Sequence, residues 1–269
     1  MNCYILQIDC VIPIMNLKLL LPLACLLLVI SACSNHTFAP ALYHQDIAYQ
    51  PKPASFDTAK TANYLSGGMN YYTDQTWADL LVSGQLNYSR GHVFNNANIA
   101  YGVFGVAGDY ERGSGGTAPN NFTDKFFGAA GARISANLFT TYERMDFRYL
   151  GFEMAYSHEF GAYSDFRNYI ATQPGFHVDT RTDLLTLGLT TEVIFHNQNN
   201  LNIEHGIRFF LGGTFGPNPL NGTNYVSSDL TPQFFRTIFP KVSYFINVKN
   251  FFGVAEIGSA IFVRAGYKF

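Results

Sequence analysis

The sequence predicts an all-β chain closed into an antiparallel up-and-down barrel of about 8–10 strands. Three observations carry this. Long segments alternate apolar and polar side chains with a period of two. Those segments outrun ordinary globular strands of about five or six residues. Charged residues are only 13% of the chain, against about 25% in soluble proteins, whereas aromatics reach 16%. A net charge of −2 gives no electrostatic footprint for nucleic acid.

The N-terminus comes first. Lys18, the apolar run Leu19–Ile30 and the small pair Ser31-Ala32 have the layout of a secretory signal. The run is too short to span a bilayer, which takes about 20 residues. Residues 1–32 are therefore expected to be removed. Met15-Asn16-Leu17-Lys18 is itself a normal opening for such a signal, while residues 1–14 put Asp9 where positive charge belongs. Translation is expected to start at Met15. Val29-Ile30-Ser31-Ala32-Cys33 resembles the bacterial lipobox. The resemblance implies acylation of the Cys33 thiol, by palmitate or a similar chain, and handling by the lipoprotein-sorting machinery. All four cysteines (Cys3, Cys10, Cys25, Cys33) precede residue 34, so the mature chain is expected to hold no disulfide and no cysteine metal site.

Residues 33–60 read as an irregular tether between lipid and barrel. Pro40, Pro51 and Pro53 interrupt it and no period is sustained. Tyr43, Ile47 and Tyr49 are candidates to pack on the barrel rim or plug its mouth. In some bacterial lineages an acidic tract after the lipidated Cys directs surface export. Ser34-Asn35-His36-Thr37-Phe38 has none. The anchor is therefore expected in the periplasmic leaflet.

Residues 61–269 read as the barrel. Strands are predicted near 62–73, 79–91, 97–110, 122–136, 145–161, 181–196, 202–216, 234–248 and 251–269. Leu80, Val82, Leu86 and Tyr88 alternate with Leu81, Ser83, Gln85 and Asn87. Leu150, Phe152, Met154 and Tyr156 alternate with Tyr149, Gly151, Glu153 and Ala155. The same pattern recurs around Leu187, Phe209 and Val263. Successive strand residues face opposite ways, so each segment has one apolar side. The polar sides are small and nearly uncharged. A water-facing exterior would carry several Lys and Glu per strand, so the apolar side is expected to face hydrocarbon and the barrel to be transmembrane. Nine segments make an odd count. A bend at Gly258-Ser259 would give ten strands, and demoting one segment would give eight. Long connections at Glu111–Asn121, Ala162–Thr180 and Pro217–Gln233 alternate with short turns, as in outer-membrane barrels.

The chain ends Val263-Arg264-Ala265-Gly266-Tyr267-Lys268-Phe269. This resembles the C-terminal strand by which bacterial outer-membrane barrels are handled by their assembly machinery. The resemblance is to that class as a whole, across residues 60–269, and implies residence among outer-membrane lipids.

The interior of such a barrel is the place to seek chemistry. Arg133, Glu153, Glu192, Glu204, Arg208, Glu256, Arg264 and Lys268 are candidates for an inward polar network in which four carboxylates meet four cations. Eight strands would leave a filled core and ten a narrow passage. His158, at a strand end, is placed to meet Asp165 or Asp179. No catalytic triad, nucleotide, cofactor or metal signature is found. The leading reading is a lipid-anchored outer-membrane barrel with a structural, binding or transport-accessory role. The Phe- and Tyr-rich loops would offer a surface to a protein or small-molecule partner. The rivals are a membrane-embedded hydrolase or acyltransferase using rim His and Asp, and a narrow channel.

Overall fold

The computed structural model describes residues 37–73, 79–112, 124–173, 177–197, 200–215 and 238–269. Strands β1 (Thr37–Phe38), β2 (Thr61–Thr73), β3 (Asp79–Val93), β4 (Ala97–Arg112), β5 (Lys125–Tyr142) and β6 (Met145–Phe160) come first. Helix α1 (Ala162–Ala171) and strand β7 (His177–Val178) follow. The chain then forms β8 (Asp183–Asn197), β9 (Asn200–Phe215), β10 (Ile238–Val248), β11 (Phe251–Ile257) and β12 (Ile261–Lys268). Ten of these, β2–β6 and β8–β12, close into one antiparallel barrel in which β12 pairs with β2. β1 and β7 form a separate parallel pair.

Ten strands arise because the last predicted segment is a hairpin. The Gly258 N–H donates to the Ala260 carbonyl at 3.1 Å, and β11 folds back on β12. β5 runs to Tyr142, past the predicted end, because a bulge between Leu138 and Thr140 disturbs the alternation there. The 162–180 connection is not structureless. Gly161 has φ 111°, a left-handed conformation that a side chain would resist, and it turns the chain from β6 into α1. Tyr163, Phe166, Arg167 and Ile170 form the buried face of α1, at helical spacing. That face packs over one mouth of the barrel against Phe38, Tyr110 and Phe127. The 217–233 connection lies outside the described residues.

The two ends differ. One carries the short turns at 94–96, 143–144 and 249–250 and the terminal Phe269. The other carries the long connections and α1. Between them the outer wall is apolar: Met69 is 66% exposed, Leu86 69%, Val103 58% and Leu189 57%. Among the described residues, ionised side chains on the outer wall keep to the ends. Asp109, Glu111 and Asp124 stand at the long-loop end, and Arg90, Glu143, Arg144 and Lys249 near the turns. Aromatic side chains ring both borders. Tyr71, Phe126, Tyr156 and Phe160 line one, and Tyr88, Tyr101, Phe251 and Tyr267 the other.

Candidate functional site

The barrel encloses its own N-terminal segment. From Asp57 at the short-turn end, residues 57 back to 38 run up the lumen to the long-loop end. Ile47, Ala48 and Tyr49 are buried to 1–2%. Residues 38–57 of the expected tether thus lie along the lumen, and Ile47 and Tyr49, candidates for the rim or the mouth, sit within it. Turns bond part of this backbone to itself, as from the Gln45 N–H to the Leu42 carbonyl at 2.8 Å, but three prolines and no repeat leave the rest to find partners elsewhere, and burial without partners is costly. Inward side chains of the wall supply the partners.

At the long-loop end the Ala41 N–H donates to Glu159 at 2.6 Å, and Arg167 holds that carboxylate at 2.5 Å. The Tyr163 hydroxyl donates to the Ala39 carbonyl at 2.9 Å. At mid-depth Arg133 Nε donates to the Asp46 carbonyl and Lys241 Nζ to the Ile47 carbonyl, both at 2.5 Å. The Tyr49 N–H meets both oxygens of Glu256 at 3.1 Å, and Arg264 donates to the Tyr49 carbonyl. Lower down, Arg148 Nη2 donates to the Pro53 carbonyl at 3.1 Å. The Ser55 N–H and hydroxyl reach Asp146 at 2.7 and 2.5 Å. At the mouth Lys268 pairs with Asp57 at 2.6 Å.

The eight predicted interior residues all point inward. Arg133, Glu153, Glu192, Glu204, Arg208, Glu256 and Arg264 are buried, and Lys268 stands at the short-turn mouth with 26% of its side chain exposed. Arg208 pairs with Glu153 and lies 3.6 Å from Glu256, which is 3.8 Å from Arg264. Glu192 pairs with Arg148 at 2.9 Å, and Glu204 accepts from Asn247 at 3.0 Å. Arg133 instead bonds Asn87 at 2.7 Å, its guanidinium 3.7 Å from the Phe104 ring centroid. Sequence reasoning missed Asp46, Lys52, Asp146, Arg148, Glu159, Arg167 and Lys241. Such buried pairs add little net stability but penalise any arrangement that leaves one member alone. Here they hold one chain in one register.

Packing follows the same logic. The Phe245 ring covers Gly206, where a Cβ would stand 2.3 Å from it. Tyr49 stacks on that ring at 4.5 Å and 12°. On the segment itself, the Asp46 carboxylate accepts the Thr186 hydroxyl at 2.6 Å and the Ser157 hydroxyl at 3.4 Å. Lys52 Nζ donates to the Ser135 hydroxyl at 2.8 Å. At the short-turn mouth the segment leaves an open vestibule of about 450 Å³, bordered by Asp57, Glu204, Asn247 and Lys268.

His158 does not meet Asp165 or Asp179. It faces outward and pairs with Asp183 at 2.9 Å, while Asp179 pairs with Arg181. The reason is register: the β6–β8 ladder sets His158 directly opposite Asp183. The third member of this rim cluster is the Tyr156 phenol, which donates to Asp183 at 2.7 Å, and not a serine nucleophile. Among the described residues, no three His, Cys, Asp or Glu side chains are placed to hold a metal. Cys33 and the signal segment lie outside the described residues.

The fold and lumen together define a ten-stranded closed β-barrel occupied by its own chain. No protein-family model matches the sequence. No curated protein matches it either. Solved structures do. The transport unit of the autotransporter AIDA-I from Escherichia coli aligns over 81% of this chain and 92% of its own, at 6% identity and a TM-score of 0.40. The translocator domain of the autotransporter NalP from Neisseria meningitidis aligns over 80% and 90%, at 6% identity and 0.39. A bacterial polysaccharide outer membrane secretin aligns over 79% and 99%, at 7% identity and 0.32.

Proposed function

We propose that this chain is an integral outer-membrane barrel, additionally anchored through an acylated Cys33, with a non-enzymatic structural, binding or transport-accessory role. The outer wall carries the reading. A monomer in water rarely exposes an apolar patch beyond about 300–600 Å². Here an uncharged apolar belt passes around all ten strands, bordered by aromatic side chains, as a hydrocarbon contact requires. The strands outside the last hairpin run 11–18 residues, enough for the about 9–11 of a tilted crossing. By the usual asymmetry the short turns face the periplasm and the long connections the exterior. The lumen in this state is closed by residues 38–57. The surface offered to a partner is then the long-loop end, where Tyr169 on α1 is 59% exposed.

Membrane fractionation tests the reading. The protein should pellet with outer membranes, resist carbonate and urea extraction, need detergent for solubility, and migrate differently on gels before and after boiling. Planar bilayers holding the purified protein should stay silent. Recovery as a detergent-free soluble monomer would end the proposal.

A further inference from the structure

The direction in which the segment runs decides where a lipid on Cys33 can go. β2 starts at the short-turn end, yet the residues before it climb the lumen and leave at the opposite end. Phe38 is fixed there. Its carbonyl accepts from the Asp179 N–H at 2.8 Å, β1 pairs with β7, and its ring packs edge-on to Phe166 and Tyr110 at 5.7 and 6.4 Å. Only five residue steps lead from Phe38 to Cys33. Fully extended, they reach at most about 18 Å. The apolar band of such a barrel is about 25 Å tall. Acyl chains on Cys33 cannot reach the leaflet at the short-turn end from this exit. The route back down the lumen is filled by the segment itself.

We infer that Cys33 inserts its acyl chains into the leaflet on the long-loop side, the outer leaflet. The N-terminus would then anchor the barrel from outside after passing up through it. This rests on the proposed reading of an acylated outer-membrane barrel, and it replaces the periplasmic leaflet that the missing acidic tract suggested. The wall explains why no such tract is needed: the segment reaches the surface through the barrel it precedes.

The test uses the full-length chain in a Gram-negative host, with three single-tag versions. One epitope follows Asn35, one sits in the 113–123 connection, and one in the turn at Asn95-Asn96. Alkyne-palmitate incorporation, with Cys33→Ser as control, reports acylation. The expected result is acylation lost in Cys33→Ser, the first two tags detected on intact cells, and the third only after permeabilisation. The first tag hidden while the 113–123 tag is exposed would overturn this inference and leave the barrel reading standing. The 113–123 tag hidden and the turn tag exposed would overturn the proposed orientation and the inference with it. Acylation absent, or unchanged in Cys33→Ser, would remove the anchor. A tag-free version, His36→Cys, guards against misassembly: a membrane-impermeant maleimide should label it on intact cells, and labelling only after permeabilisation again overturns the inference.

Discussion

Glu256→Ala should loosen the lumenal segment without dismantling the barrel. Glu256 accepts the Tyr49 N–H through both oxygens and the Ser243 hydroxyl at 2.8 Å, and it lies within 4 Å of two guanidinium groups. Its removal leaves a buried amide unsatisfied and Arg264 without its recorded carboxylate partner. Removing one partner of a buried ion pair costs about 3–5 kcal/mol. The barrel ladder is unaffected, because Glu256 joins its neighbours there through backbone bonds. The cost therefore falls on docking of the segment. At about 1.4 kcal/mol per tenfold, the undocked population should rise by about 10²- to 4 × 10³-fold. Amide hydrogen exchange across Ile47–Lys52 measures this directly, since local opening sets the exchange rate. Exposed Glu143→Gln is the control and should change nothing. Bilayer recordings should turn from silent to intermittently conducting. Wild-type exchange at Tyr49 in a folded Glu256→Ala barrel would refute the reasoning.

Three further outcomes are expected. Ser55→Cys combined with Asp146→Cys should form a disulfide visible on non-reducing gels, and reduced thiols alone would count against a lumenal path for residue 55. Arg148→Met should destabilise the barrel by about 3–5 kcal/mol by stranding Glu192, and Arg148→Met with Glu192→Met should recover most of it, as read by urea unfolding in vesicles. Val242→Arg places a charge on the outer wall and should cost about 2–4 kcal/mol in the same assay, whereas no cost would mean water, not lipid, touches that face.

The wall was legible in the sequence because its physics is local. A strand exposes alternate residues to two different media, so Ser83, Gln85 and Asn87 against Leu86 and Tyr88 already assign inside and outside. Arg148 was missed for an equally local reason. The ladder with β8 slips between Arg148 and Gly151, which turns Arg148 inward and leaves Tyr149 48% exposed, the reverse of the strict alternation. Glu159 shares its parity with Glu153 and was within reach of the pattern. So was α1, since Tyr163, Phe166, Arg167 and Ile170 follow helical spacing, although the segment sits where barrels usually carry loops. The lumenal segment is a different case. Its residues meet several strands in turn, Ala41 on β6, Ile47 on β10, Tyr49 on β11 and Lys52 on β5, so no repeat along its own sequence encodes its path. Its buried Asp46 meets Thr186 and Ser157, and its buried Lys52 meets Ser135, all distant in sequence. The one available hint was indirect: a wall with so many inward ionisable groups needs something inside to bind.

The pairing of β12 with β2 is the last stitch in a hoop, and the polypeptide passes through that hoop before becoming part of it. A tip bearing bulky acyl groups could not be drawn through afterwards, because the bore is already packed by a single chain. If Cys33 is acylated as proposed, lipidation must therefore precede fastening, and the sheet must be wrapped about the thread rather than pierced by it. Once fastened, such a molecule would be mechanically interlocked, its tail withdrawn only by parting a seam between two strands.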